Sequence, residues 1–362
     1  MIFLYILVAI LVLMFMITVH ELGHYLAAKV LRFKVNEFAI GFGKPLLKYK
    51  RKNGEIFSIR AIPLGGFCSF ATEQEDEAGA PGASPYEKDP TAIPFEKMAP
   101  WKRLVVLFSG AFANFICGII FCLILIASIG YYQQVEVRGI DPASHNAAVV
   151  MQGDVITEIN GTPFTIMNNF QGQLAQFDVG ETFYLTIYNN GVRRDNVPVS
   201  RDEIIPASGE RYIGLGFRQG DLYASFQDIS FGASIGYSFV LAWDLALMVL
   251  RALWQMVTFQ ISLSNMGGTF STIAVMSDVV SMGMINLLIL IPLISINLAV
   301  FNLLPVPALD GARMVFVFIE WIRGRPVDPN LENKIHMIGL FCLLGFVLLL
   351  DLNFLIFQNL FR

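Results

Sequence analysis

Residues Met1 to Val19 contain no charged side chain, and the apolar character continues to Ala28, interrupted only by the ionisable side chains of HELGH at positions 20 to 24. A run of this length is enough to cross a bilayer as a helix. Lipid leaves such a segment little choice, because each backbone N–H and C=O must be satisfied within it. We read 1–28 as a first transmembrane helix. The competing reading is a cleaved signal peptide. However, the run has no basic leading region, and a cut at its first small-residue site, near Ala27 and Ala28, would discard HELGH.

The same bias extends along the chain: 55% of its 362 residues are hydrophobic and 15% charged, too apolar for a soluble domain of that length. Three more spans are expected at 104–130, 285–304 and 337–357, the third followed by the residues LDG. Lys and Arg number 13 between Lys29 and Arg103, 6 between Arg138 and Arg218, and 4 between Arg313 and Lys334. The positive-inside rule then puts the first and last segments in the cytoplasm and the middle one outside. Cys117, Cys122 and Cys342 fall in apolar runs and Cys68 in the cytoplasmic loop, so free thiols without chemistry are expected.

Within the cytoplasmic loop 29–103, LLKYK, the turn Asn53-Gly54 and IFSIRAIPLGGF read as a β-hairpin over 46–67. The acidic, Pro- and Gly-rich 72–94 reads as a flexible linker. PFEKMAPWKRL then approaches the second span, with Trp101 at headgroup depth and Lys102 and Arg103 facing anionic lipid. Residues 133–219 alternate in short runs with turns at Asn160-Gly161 and Asn190-Gly191, the pattern of a small β-rich domain. Its QGDVITEINGTPF and FYLTIYNNG resemble a PDZ domain, with Val149 where bacterial members usually carry glycine. Residues 229–263 are apolar enough to span, yet carry Asp244 and Arg251. A crossing there would reverse the third span and put the basic 313–334 segment outside, so one or two amphipathic helices on the outer interface are expected, anchored by Trp243 and Trp254.

HELGH carries the chemistry. Four residues apart on a helix, His20 and His24 project from one face and can ligate one Zn2+, with Glu21 beside the water that the metal activates. Glu21 would then take up the proton and pass it to the leaving amine. Coincidence on an amphipathic helix is the bland alternative, but ionisable residues inside an apolar span are costly unless they serve a site. A catalytic zinc takes a third protein ligand. Asp310 is the candidate, at a similar depth, beyond the helix-breaking Pro305 and Pro307. The alternative is that it only caps a helix. His145 and His336 lack ligand spacing.

HELGH in the first span, GAFAN in the second, NLLPVPALDG after the third and a PDZ-like insert together resemble the site-2 protease family, over nearly the whole chain, and especially its bacterial PDZ-containing members. The resemblance implies a polytopic α-helical membrane protein with four transmembrane helices, a membrane-associated β-hairpin and one extracytoplasmic PDZ-like domain. It implies an intramembrane zinc endopeptidase of the bacterial inner membrane, active near the cytoplasmic side, with His20, His24 and Asp310 as ligands and Glu21 as catalytic acid/base. Asn302, Pro305, Pro307, Gly65 and Gly66 are implied in holding substrate, and Gly110 and Asn114 in packing the second span near the site. The implied partners are single-span membrane protein substrates, such as anti-sigma factors or signal-peptide remnants, and membrane lipid, with no nucleic acid. The PDZ domain would bind or exclude their extracytoplasmic parts. Ala111 and Ala312 depart from the family pattern, away from ligands and base. A helical substrate must be unwound, and an exposed edge within 46–67 could hold it by strand addition. The rival functions are a non-catalytic PDZ-bearing membrane adaptor, disfavoured by the intact motif set, and a zinc transporter, disfavoured because the second and fourth spans carry almost no charge.

Overall fold

The computed structural model describes residues 2–71, 93, 95–204, 212–217, 221–258, 260, 269–281 and 284–360. The expected linker 72–94 lies outside the described residues except for Ile93. In chain order the elements are α1 (Ile2–Val30), β1 (Val35–Lys50), β2 (Ile56–Phe70), α2 (Pro100–Ile129), β3 (Gln133–Val137), β4 (Val155–Ile159), β5 (Thr162–Pro163), α3 (Phe170–Leu174), β6 (Thr182–Asn189), β7 (Val192–Ser200), β8 (Asp202–Ile204), β9 (Tyr212–Gly214), β10 (Leu222–Phe226), α4 (Phe231–Val257), α5 (Thr269–Ser281), α6 (Met284–Leu303), α7 (Asp310–Arg323) and α8 (Pro329–Leu360). They form two compact units, 1–122 with 242–362, and 123–241.

The first unit is built on α1, α2 and α6. Met16, Cys117, Leu287 and Ile291 are buried together, with Val12, Val19, Phe121 and Leu298 packed around them. Met16 meets the start of α6, whereas His20 and His24, further along α1, meet Asp310 just past its end. α1 and α6 therefore run in the same direction. Phe3, Leu4, Leu7, Leu11 and Phe15 stay exposed along α1, as lipid-facing residues do and a soluble core does not.

Among the described residues, four helices are long and apolar enough to cross a membrane: Phe3–Val30, Pro100–Ile129, Phe231–Val257 and Asn330–Leu352. The third is not among the spans expected from sequence. Of the one or two helices expected over 229–263, the structure has one, α4, a single 27-residue helix, about 40 Å long at 1.5 Å per residue. Asp244 and Arg251 do not break it: Arg is a good helix former, a single Asp costs only about 0.7 kcal/mol, and neither is buried. α6 is the shorter helix, 20 residues with Pro292 inside.

The hairpin is larger than 46–67. β1 and β2 extend it to Val35–Phe70, and both strands fold back on themselves. Residues 66–70 pair with 35–40, which also lie alongside 56–59, which in turn pair with 47–50. The sheet thus has four lanes, with 66–70 and 47–50 outermost. The bends fall at Gly41, Gly43 and Gly65, all at positive φ, which glycine adopts without steric cost. Alternation along 46–67 marked only half of this arrangement, since the first lane, Val35–Ile40, is continuously apolar or paired internally. Glu37 there receives Ser58 Oγ–H and Arg60.

A helix not expected from sequence, α7, follows α6 and is capped by Gly324. Its Glu320 lies 2.5 Å from Arg103 Nη2, and Arg103 is only 5% exposed. Arg103 therefore does not face lipid as expected. A buried guanidinium needs a partner, and the acid that supplies it stands on an element more than two hundred residues away. Trp101 remains half exposed. All four cysteines are free thiols, and burial pushes the Cys68 thiol well above its ordinary range.

The second unit is β-rich, with one sheet in the order β10-β3-β4-β6-β7, β5 beside β4, and a separate β8-β9 pair. Its core includes Ile156, Phe164, Phe183, Leu185 and Ile187. β10 lies beyond the 133–219 boundary, so the sheet closes later than the turn signals suggested. Asn160-Gly161 and Asn190-Gly191 adopt positive φ at both positions, the geometry of tight hairpin turns. Asp154 of QGDV is fully buried and receives Met151 N–H, Asn189 Nδ2 and Arg194 Nη2.

Candidate metal centre

α1 is unbroken through HELGH, so His20 and His24 share a face and both are buried. Their Nε2 atoms lie 3.1 Å apart. Asp310 Oδ2 is 2.9 Å from His20 Nε2 and 3.1 Å from His24 Nε2. The three donors fall within 4.8 Å of one another. Asp310 opens α7, but the cap residue is Leu309 and no side chain caps the helix. The carboxylate is directed to the imidazoles, not to the helix end.

The donor chemistry fits a divalent cation. His24 Nδ1 lies 2.8 Å from the carbonyl oxygen of Val106 on α2, and a carbonyl only accepts, so the proton sits on Nδ1. In the neutral ring His24 Nε2 then carries the lone pair, 3.1 Å from a carboxylate oxygen. Two acceptors at that distance repel unless positive charge lies among them. Neutral imidazole with its far nitrogen fixed by a second partner is the form that binds zinc. His20 Nδ1 is buried without a hydrogen-bond partner among the described residues.

Two glycines make room for this convergence. A Cβ on Gly110 would collide with His24 Nε2 and come within 2.8 Å of His20 Cε1, so α2 reaches the imidazoles only through a bare backbone. Gly66 lies against Glu21: a Cβ there would be 3.3 Å from Glu21 Cγ and 2.9 Å from Ala39 O. Two residues on, Cys68 N–H donates to the Glu21 carboxylate. The outermost lane 66–70 therefore runs beside Glu21.

The remaining residues expected at the site are arranged differently. Asn302 donates its Nδ2–H to Leu298 O of its own helix at 3.0 Å. Pro305 and Pro307 shape the turn before Asp310, in which Leu309 N–H donates to Val306 O and Ala308 sits at φ 81°. Gly65, at φ 119°, bends β2 against the Phe42 ring. Asn114 has both amide atoms buried without partners among the described residues, while its carbonyl accepts from Ser295 Oγ–H at 2.7 Å. Sequence reasoning missed the Val106 carbonyl, which no side-chain motif marks, and His336, whose Nδ1 accepts Ala308 N–H at 3.0 Å.

The model of peptidase family M50 matches residues 8–346 of this chain. The chain belongs to peptidase family M50. It is similar to a protein of Nostoc sp., at 32% identity over 94% of this chain and 93% of that one. It is similar also to the zinc metalloprotease RasP of Shouchella clausii, at 27% identity over 90% of this chain and 92% of the relative, and to that of Oceanobacillus iheyensis, at 26% over 93% and 95%. As an M50 peptidase of the site-2 protease type, it is a membrane zinc metalloprotease.

Proposed function

We propose that this M50 peptidase cleaves peptide bonds within the transmembrane segments of single-span membrane proteins, with His20, His24 and Asp310 holding zinc and Glu21 moving the proton. The observation that carries the reading is the convergence of Asp310 Oδ2 with two buried Nε2 atoms that stand on a helix long and apolar enough to cross a membrane. Zinc in that donor set supplies Lewis acidity for carbonyl polarisation and water activation. Glu21, adjacent to a ligand on the same turn and fixed by Cys68 N–H, is the group within reach to accept a proton from water and deliver it to the leaving amine.

The 66–70 lane has a ladder partner on one side only among the described residues. An unwound substrate strand added there would pass Glu21, with the side-chain-free Gly66 giving its backbone room. Of the exposed edge expected within 46–67, residues 66 and 67 belong to this lane, whereas Ser58 is buried between two inner pairings. The β-rich unit is proposed to be a PDZ domain that binds or excludes the extracytoplasmic parts of substrates, which we take to include anti-sigma factors or signal-peptide remnants.

We place the protein in a bacterial inner membrane with the site near the cytoplasmic side, from the basic 29–103 and 313–334 segments. The shared direction of α1 and α6 supports an even number of crossings between α2 and α6. α5, at 13 residues, is about 20 Å long and too short to bring a crossing α4 back alone, which favours α4 lying on the outer interface.

The test is metal analysis and cleavage of a model transmembrane substrate by the purified full chain. Glu21→Gln should keep zinc and lose cleavage by about 1,000-fold or more. Asp310→Ala should lose zinc. Cleavage persisting in Glu21→Gln would falsify the proposed role of the base.

A further inference from the structure

α8 holds the turn that delivers Asp310. Between α6 and α7 the chain passes through Leu304 to Leu309, where Pro305 and Pro307 have no N–H to contribute. Val306 N–H donates to Leu304 O and Leu309 N–H to Val306 O. That leaves Ala308, the second central residue of the last turn, at φ 81°, a position that ordinarily calls for glycine. A non-glycine residue persists there only when its surroundings over-determine it.

Those surroundings come from one face of α8. His336 Nδ1 lies 3.0 Å from Ala308 N. Since the amide is the donor, Nδ1 is unprotonated and the ring carries its hydrogen on Nε2, 4.0 Å from Glu332 Oε1 one turn earlier. The same ring packs on Phe316 of α7 at a centroid distance of 5.6 Å. Three residues further along α8, and so on the same face, Gly339 admits Pro307: a Cβ there would collide with Pro307 Cβ and lie 3.1 Å from its Cγ. One residue supplies the acceptor and the other the space.

We propose that His336 is a positioning residue of the metal centre, holding the Ala308 N–H so that Asp310, two residues on, reaches the Nε2 atoms of His20 and His24. The inference rests on the ligand set proposed above. It assigns a task to a histidine that is not itself among the three converging donors, and explains why a left-handed alanine is kept beside a ligand. It also makes α8 part of the centre, although α8 contributes no donor atom to it.

The experiment compares the full-length parent, Asp310→Ala, His336→Phe and His336→Asn in detergent. Zinc affinity is read by competition with a chromophoric chelator, and ligand geometry by the visible spectrum of the Co2+-substituted protein. Phenylalanine keeps the ring on Phe316 and removes the acceptor, whereas asparagine places Oδ1 where Nδ1 was. Loss of a supporting contact to a metal ligand typically weakens binding by about 10- to 100-fold. His336→Phe should show that loss with a changed Co2+ spectrum, and His336→Asn should return to within about threefold of the parent. The inference is overturned if His336→Phe binds zinc like the parent, or if His336→Asn is as weak as His336→Phe. Should Asp310→Ala bind zinc like the parent, the ligand set itself falls. If Asp310→Ala loses zinc while His336→Phe does not, only the role of His336 falls.

Discussion

His20 Nε2 lies 2.9 Å from Asp310 Oδ2, across 290 residues of sequence. The contact exists because α1 and α6 run the same way and the short turn 304–309 joins α6 to α7, which brings Asp310 level with the two histidines. His24 adds its own Nε2 at 3.1 Å from the same oxygen, so a single carboxylate oxygen closes a three-donor set.

Gly110 should tolerate no side chain. A methyl group there collides with His24 Nε2 and crowds His20 Cε1, and overpacking of this kind costs about 1–3 kcal/mol. If the imidazoles yield, that becomes a roughly 5- to 150-fold loss of zinc affinity. Titrating Gly110→Ala with a zinc chelator measures it, and an unchanged affinity would show that α2 moves aside instead.

Arg103 and Glu320 are a buried pair whose partners should not be removed singly. Arg103→Met leaves an uncompensated carboxylate and should lower stability by on the order of 3 kcal/mol, whereas Arg103→Met with Glu320→Met should come close to the parent. Thermal unfolding of the four forms closes the cycle. Equal destabilisation of the single and double variants would show that the pair contributes packing alone.

The Asn114 amide is buried without partners among the described residues. An unsatisfied buried polar group costs about 1–3 kcal/mol. Asn114→Leu, of similar shape, should therefore raise stability by about 1 kcal/mol while metal affinity stays within the parent's range. A loss of stability on the same measurement would mean that a buried water pairs the amide.

Glu55 ties the hairpin turn to the end of α1. Burial pushes its carboxyl up, but Lys29 and the Asn53 side chain outweigh it and hold it below its ordinary value of 4.5. A carboxyl lowered in the folded state contributes stability that is complete above that ordinary value and is lost as pH falls through the lowered one. Protection factors for amide exchange over residues 35–70, taken relative to the intrinsic rate at each pH, should therefore fall in acid, below about pH 4.5. In Glu55→Gln this acid-dependent step should disappear, and its survival would assign the effect to another carboxylate.

Much of the centre could be read from the chain alone because its signals are local. An uncharged run means a helix in lipid, and on that helix His20 and His24 share a face by periodicity. The Asn-Gly turns of the β-rich unit are equally local, since positive φ at both positions is a property of the pair of residues. The hairpin was half legible: Asn53-Gly54 located its turn, but the bends that make four lanes depend on Phe42 and Gly65 meeting across the sheet. α7 escaped notice because its amphipathic pattern is short and follows a loop of two prolines.

By itself the sequence determined that this chain enters a membrane, where its first helix lies along the chain, and that HELGH offers two imidazoles and a base. Only the tertiary structure decided that Asp310 is turned away from the helix end, that Arg103 is buried against Glu320 instead of facing lipid, that the 66–70 lane runs beside Glu21, and that His336 accepts the Ala308 N–H in the turn before Asp310. The reason is physical. Backbone periodicity is set by neighbours within a few residues, whereas the direction of a carboxylate or the choice of partner for a buried nitrogen depends on which helices pack together.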